Sequence, residues 1–398
     1  MSQKIAITGM GIISSIGNNV EENLNALKTG KHGISDIELF ETRHAGHIKT
    51  GEIKWSNEDL SRKLQLNEDH NATRTVLLGM VAAKEAIESA GISDINQYKT
   101  GLISSTSVGG MDITEKYFYS YENFPEKQKY IDAHDAGSSS LLIADYLGLQ
   151  GMVSTISTAC SSAANAIMMG AKLIKNGVLD RVIVGGTDSL SKFTLNGFNT
   201  LMILTDSYNT PFDNDRKGLN LGEAAAYIVL ESEECVRKDN KKVLGYLSGY
   251  GNANDAHHQT ASSENGQGAF LAMEKALRIS GLEKEAIDYI NVHGTATPNN
   301  DLSEGIAMIR IFGDKVPEFS STKAFTGHTL AAAAGIEAVY SLLAIQNNLI
   351  FPNLNFKTKM QEFNLMPVTE LKEKNINHVL SNSFGFGGNC STLIFSKS

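Results

Sequence analysis

The sequence predicts an α/β fold made of two successive rounds of strand–helix units. Three observations carry this: short apolar runs that each open into glycine or small polar residues, segments of helical spacing that alternate with them, and a fresh start of the same alternation past the middle of the chain. A length of 398 residues suits two domains or one duplicated architecture. The 41% hydrophobic and 20% charged fractions are those of a globular chain, and 36 glycines against 6 prolines point to close backbone approaches more than to flexible linkers.

In chain order, Ile5–Gly11 reads as a strand running into a glycine turn. It fails as a dinucleotide fingerprint, because Ser14 stands in the third glycine's place and no acidic residue closes a second strand about 20 residues on. Val76–Ala90 has helical spacing, Thr100–Ser105 reads as a strand, and Gly109-Gly110 as a turn. Val153–Ile156 is expected as a short buried strand and Ser161–Ile174, apolar on nearly every face, as an enclosed helix. Arg181–Gly186 and Ala224–Leu230 are further central strands. The second round runs through a strand at Val243–Asn252, a helix at Gln267–Ser280, strands at Ile287–Val292 and Phe319–Ser321, a helix at Leu330–Ile345, and closing strands at Val379–Ser383 and Thr392–Phe395. The expected division into halves is 1–250 and 251–398, near the charged stretch Glu231–Lys242.

Several classes are disfavoured. A net charge of -9 argues against general nucleic-acid binding. Met1–Gly9 lacks a leader's pattern, and Leu330–Ile345 contains Glu337 and is too short to span a bilayer, so no membrane anchor is expected. Cys160, Cys235 and Cys390 form no CxxC pair, which favours a reducing cytoplasm and neither a disulfide framework nor a zinc ribbon.

The candidate nucleophile is Cys160, in Ser157-Thr158-Ala159-Cys160-Ser161-Ser162, where a strand gives way to the enclosed helix. A helix N-terminus offers free N–H groups and partial positive charge, so the expectation is a thiol of lowered pKa beside an oxyanion-binding site. Taken alone, a cysteine in such a place is more often buried filler. Three other strand ends carry similar chemistry: Val292-His293-Gly294-Thr295-Ala296-Thr297, Thr322-Lys323 through Gly327-His328, and Ser383-Phe384-Gly385-Phe386-Gly387-Gly388. Sites in α/β sheets form outside strand carboxyl ends, so one thiol, two imidazoles and an ammonium can converge on one crevice.

Together with Thr8-Gly9-Met10-Gly11, Gly185-Gly186-Thr187-Asp188, Pro211-Phe212-Asp213 and Gly222-Glu223, these motifs stand in the order found in elongating β-ketoacyl-acyl carrier protein synthases, and the chain resembles that family nearly end to end. The resemblance implies a thiolase-like fold, two similar βα halves in a layered α-β-α-β-α core. It implies an acyltransferase of fatty acid or specialised polyene or polyketide biosynthesis that performs a decarboxylating Claisen condensation, with Cys160 carrying the acyl chain and His293 and His328 binding the malonyl thioester oxygen. It gives Lys323 an electrostatic role with Asp301 or Glu337 as its acid, Thr295 and Thr297 contacts to the phosphopantetheine arm, and Val108 a place in the acyl pocket. Backbone N–H groups of Cys160 and Phe384 would hold the oxyanion, with the Phe384 ring as gate. Neither metal nor cofactor is implied.

The implied partner is an acidic acyl carrier protein, docked on Arg62, Lys63, Lys127 and Lys129, and the implied assembly is a cytoplasmic homodimer or a heterodimer with a related subunit. The family continues Gly-Gly-Thr-Asn where this chain has Gly387-Gly388-Asn389-Cys390, and Gly-Glu-Gly where it has Gly222-Glu223-Ala224. These departures lead us to expect a specialised synthase extending polyene or polyketide chains. One alternative is a non-catalytic chain-length subunit, although such partners lose the nucleophile that this chain retains; another is a Cys-His hydrolase, which requires a water path to the acyl-enzyme.

Overall fold

The computed structural model describes residues 5–398. Its twelve strands are β1 (Ile5–Ser14), β2 (Thr100–Ser105), β3 (Met152–Ile156), β4 (Arg181–Asp188), β5 (Ala224–Glu231), β6 (Gly245–Asn254), β7 (Tyr289–Asn291), β8 (Glu318–Ser320), β9 (Leu349–Ile350), β10 (Lys372–Glu373), β11 (His378–Gly385) and β12 (Asn389–Ser396). The helices are α1 (Val20–Thr29), α2 (Asn57–Leu64), α3 (Arg74–Ser89), α4 (Met111–Tyr117), α5 (Ala136–Tyr146), α6 (Ser162–Lys175), α7 (Lys192–Thr200), α8 (Glu233–Lys238), α9 (Gln267–Ser280), α10 (Pro298–Phe312), α11 (Lys323–Thr326) and α12 (Ala333–Asn347).

Ten strands form one mixed sheet in the order β3-β2-β4-β5-β1-β6-β12-β11-β7-β8, and β9 pairs with β10 separately. Read outward from the β1–β6 junction, the two halves match. β5 and β12 lie antiparallel to the first strand, β4 and β11 antiparallel to those, and β2 and β7, then β3 and β8, run parallel to their inner neighbours. Residue 250 falls inside β6, which pairs with β12 along nearly its whole length, so the seam lies before Gly245. The charged stretch beside it is not an open linker: it holds α8, capped by the Ser232 side chain on the Cys235 N–H.

α6 and α12 form the middle layer. Every residue of α12 from Ala333 to Ile345 is buried, and its side chains share one core with α6 and with strands of both halves. α3 and α5 cover the outer face of the first half, and α9 and α10 that of the second. The expected helix at Leu330–Ile345 begins as a single 3-10 turn and then runs on to Asn347. That gives an 18-residue stretch apolar and long enough to cross a membrane, yet 89% of it is buried inside the molecule as core.

Two sequence expectations change here. Gly9 and Gly11 do not make a turn, because β1 continues to Ser14; a Cβ at either would lie 2.2 Å from a carbonyl oxygen of α3, so these glycines let helix backbone press on strand backbone. β3 is not a buried strand either. It is the outermost strand of the sheet, half-exposed along its length, with Met152 exposed.

Candidate active site

The four motif-bearing strand ends meet. β3 stops at Ile156, and the chain reaches Cys160 through Ala159, held at φ +51°, a left-handed conformation that costs a non-glycine residue roughly 1–2 kcal/mol. α6 then begins at Ser162, with Ser161 as its cap. Cys160 Sγ and ring nitrogens of His293 and His328 all lie within 4.8 Å of one another, and all three residues are buried. The two imidazoles meet edge to face, centroids 5.4 Å apart.

Burial holds both rings neutral, well below the usual histidine range, and the Lys323 ammonium pushes each in the same direction. His328 Nδ1 accepts the Leu330 N–H at 3.1 Å, so the proton of the neutral ring sits on Nε2. His293 Nδ1 is buried without a partner. Its backbone is fixed from α10, where the Glu304 carboxylate accepts the N–H groups of His293 and Gly294, each at 2.9 Å, and the Asn382 side-chain amide at 3.0 Å. Burial raises Glu304 to about 7. Glu304 is absent from the sequence-derived set; its position one helical turn after Asp301, on the same face, is the signal that points to it.

Lys323 Nζ pairs with Glu337 at 2.5 Å, both almost fully buried, and the second Glu337 oxygen accepts the Ser383 hydroxyl at 3.1 Å. Burial pushes Glu337 upward while Lys323 and Ser383 draw it back. Asp301 is not a partner of this lysine. Its carboxylate accepts the Phe212 and Ala296 N–H groups at 2.8 and 3.2 Å and so organises the loop that follows His293.

The thiol differs from expectation. Burial pushes Cys160 up to about 11, outweighing Lys323 and the backbone N–H groups of Phe386 and Cys160 itself, which act the other way. The N–H beside the sulfur is thus that of Phe386. Phe384 lies within the ladder, paired with Cys390 of β12, and its ring packs on His293 with centroids 5.6 Å apart.

Two cavities meet at Cys160. One, of about 110 Å³, is lined by His293, His328, Thr295 and Thr297, whose two hydroxyls are 2.9 Å apart. The other, of about 320 Å³ and almost wholly apolar, is lined by Val108, Phe193, Leu201 and Leu330. Phe198 and Phe386 border both, and their rings stack 5.7 Å apart. Phe386, not Phe384, therefore stands at the junction. Asp188 braces the apolar side by accepting Thr106 Oγ1 at 2.5 Å and the Ala331 N–H at 2.8 Å, a role its motif gave no hint of.

A family model described as the β-ketoacyl synthase N-terminal domain matches residues 2–235, and the corresponding C-terminal domain matches 244–357. The chain belongs to the β-ketoacyl synthase family. It is 35% identical to 3-oxoacyl-[acyl-carrier-protein] synthase 1 of Haemophilus influenzae and 31% identical to synthase 2 of Vibrio cholerae, in each case across 99% of both chains. Among solved structures it is similar to the ishigamide ketosynthase/chain length factor, with a TM-score of 0.94, 28% identity and full coverage of both chains. A ketosynthase in complex with its chain length factor from Xenorhabdus doucetiae matches at 0.85 and 30% identity, covering 100% of this chain and 98% of that one.

Of the remaining residues, Arg62 is exposed on α2 and paired with Asp59 at 3.2 Å, with Lys63 exposed beside it. Lys129 pairs with Asp69 at 2.6 Å, and Lys127 lies over the Tyr117 ring in a separate apolar groove. None of the four lines the cavities at Cys160.

Proposed function

We propose that this synthase condenses a Cys160-bound acyl chain with malonyl carried on an acyl carrier protein. The observation that carries the reading is the meeting of one thiol and two neutral imidazoles where a polar-mouthed cavity joins an apolar one. In the first step, Cys160 Sγ forms a bond to the acyl carbonyl as the carrier thioester C–S bond breaks. The proton lost from Cys160 is regained by the departing carrier thiol, so the step is neutral in protons overall. The acyl chain then occupies the apolar cavity along Val108 and Leu330.

In the second step the malonyl thioester enters past Thr295 and Thr297. Loss of its carboxylate as carbon dioxide leaves an enolate, whose oxygen takes hydrogen bonds from the two imidazoles. His328 is suited to this, because its Nε2 proton is fixed by the contact at Nδ1. The enolate carbon attacks the acyl thioester, whose oxygen rests on the N–H groups of Cys160 and Phe386. The C–S bond to Cys160 breaks, and the thiolate recovers a proton from solvent. Thiol and imidazoles are also transition-metal ligand types, but the Lys323 field that depresses both histidines opposes a divalent cation equally. We take the chemistry to be metal-free, with activity unchanged by chelators.

The carrier's acidic surface finds two sets of cations. The first is Arg62 and Lys63 on α2 with Lys127 and Lys129, of which Lys129 is paired with Asp69. A second set, Arg43 and Lys217, lines a groove next to the cavity mouth that also holds Asp206: Leu204 lines the groove and bridges to Leu219, which lines the cavity. Charge reversal of Lys127 with Lys129, or of Arg43 with Lys217, raises KM for carrier-bound substrate at the set that docks and leaves it unchanged at the other.

Departures at Asn389-Cys390 and the chain-length-factor complexes among its structural relatives support a specialised polyketide or polyene role. Intact-mass analysis after exposure to saturated and polyunsaturated acyl-carrier thioesters tests both layers. An adduct on Cys160 that converts to a β-ketoacyl product with malonyl-carrier supports the activity, and no adduct favours a silent chain-length subunit. Equal or better use of saturated chains defeats the specialised role.

A further inference from the structure

A side-chain oxygen beside the nucleophile that gathers three hydrogen bonds belongs to a residue with no assigned part in the reaction. Asn389 is the first residue of β12, directly after Gly387 and Gly388, both at positive φ. Its side-chain oxygen accepts three hydrogen bonds, from Ser161 Oγ at 2.8 Å, Asn165 Nδ2 at 2.9 Å and Asn252 Nδ2 at 2.8 Å. The donors come from three places: the cap of α6 next to Cys160, the second turn position of α6, and β6. Asn165 also donates to Thr158 Oγ1 at 2.8 Å, while the single Ser161 hydroxyl proton is shared between Asn389 Oδ1 and the Thr158 carbonyl, each 2.8 Å from Oγ. The network therefore holds both sides of the Cys160 elbow.

On the other side of the same contact, the loop backbone lies against the elbow. A Cβ on Gly385 would come within 2.7 Å of the Thr158 carbonyl oxygen and 3.2 Å of the Cys160 nitrogen. The loop that presents the Phe386 N–H is thus pressed on the elbow at Gly385 and pinned to it at Asn389, so the spacing between the Phe386 and Cys160 N–H groups is set at both ends. Donors to a developing oxyanion act only within a few tenths of an ångström of their proper distance.

We propose that Asn389 is a positioning residue that sets the Phe386 N–H against Cys160, and so governs acyl transfer to and from the thiol. The inference rests on the condensing-enzyme reading and deepens it. A threonine, which the family pattern places here, has a shorter side chain and a single hydroxyl; it cannot accept all three donors. The pin is accordingly a feature of this chain, acting on the acyl half of the reaction. The malonyl half, which depends on His293 and His328 held by Glu304 and Leu330, lies outside it.

Asn389→Ala is a fair test because it leaves each of the three donor side chains at least one good partner, the second Asn165 N–H alone falling back on Ser161 Oγ at 3.5 Å. Ser161 keeps the Thr158 carbonyl, Asn165 keeps Thr158 Oγ1, and Asn252 keeps Asn165 Oδ1 at 3.1 Å and Ser391 Oγ at 3.0 Å. Stopped-flow or quench-mass measurement of Cys160 acylation from an acyl carrier is expected to slow by about tenfold or more, since displacing one oxyanion donor is worth that much. Carbon dioxide release from malonyl-carrier without acyl primer stays within about twofold, a split between half-reactions that a merely structural loss would not produce. Unchanged acylation in Asn389→Ala, or equal loss in both half-reactions, overturns the proposal. If that variant is insoluble, Asn252→Ala removes one of the three donors and is read by the same split. A wild-type chain that neither acylates nor decarboxylates overturns the condensing-enzyme reading itself.

Discussion

At Cys160, two physical effects compete and burial wins. A thiol held near 11 is almost entirely protonated at neutral pH, so alkylation of the resting enzyme by iodoacetamide should keep accelerating as pH rises past 9, with no plateau at the pKa of a free cysteine. Replacing Lys323 with alanine removes the cation that favours the thiolate, and the rate at a fixed pH of about 8 should fall. The same change leaves Glu337 buried without its partner, at a cost of roughly 3–5 kcal/mol in denaturant titrations. The histidines give a second test. Their folded pKa values lie below the unfolded value of 6.5, so as pH falls below 6.5 the unfolded chain takes up protons first and stability is lost until the folded pKa is passed. Glu304, raised to about 7 from 4.5, has the opposite sign and contributes stability as pH falls through that window. The difference between wild type and His328→Asn isolates the histidine: the wild-type advantage, read from urea midpoints, shrinks between about pH 6.5 and 5.

At the scale of elements, the sequence showed where most strands and the long helices lie but not why its glycines are there. A Gly-x-Gly at the end of an apolar run carries a local turn signal, whereas the cause of Gly9-Met10-Gly11 is the backbone of α3. The second half repeats the device unannounced: a Cβ on Gly251 would sit 2.0 Å from the Ala272 carbonyl oxygen of α9, and one on Gly249 2.5 Å from that of Ala276. Gly11→Ala and Gly251→Ala should each cost about 1–3 kcal/mol or more, seen as a lowered melting temperature, because strand and helix must part to admit the methyl. The site was legible where a residue type is itself the chemistry, as for the thiol, the two imidazoles and the lysine. It was illegible where register or packing decides between neighbours. Phe384 and Phe386 stand two residues apart in one glycine-rich loop, and only the β11–β12 hairpin determines which N–H meets the sulfur. Asp301 and Glu337 are both buried acids, and only the packing of α12 against α11 decides which one meets Lys323.

In the whole molecule, the two ends of the ten-stranded sheet are treated differently. At β8 the outer edge is covered, for the Val368 N–H donates to the Phe319 carbonyl at 2.9 Å. At β3 nothing among the described residues lies beyond the strand, where Met152 is 38% exposed and Leu141, on the adjoining α5, 61% exposed. An open apolar edge strand is a template for another chain, and β3 ends four residues before Cys160, so any subunit seated there braces the nucleophile elbow directly. We expect wild type to sediment at twice the chain mass or, where a related subunit is its true partner, to form a stable one-to-one complex with it. Because both residues are exposed in the single chain, Leu141→Glu with Met152→Lys should leave its fold and melting cooperativity intact while blocking edge pairing. Sedimentation should then show a monomer, and acylation of Cys160 should fall with it. A double variant that still sediments at twice the chain mass, with full acylation, removes β3 from the interface and leaves the elbow supported by this chain's own α6 and Asn389.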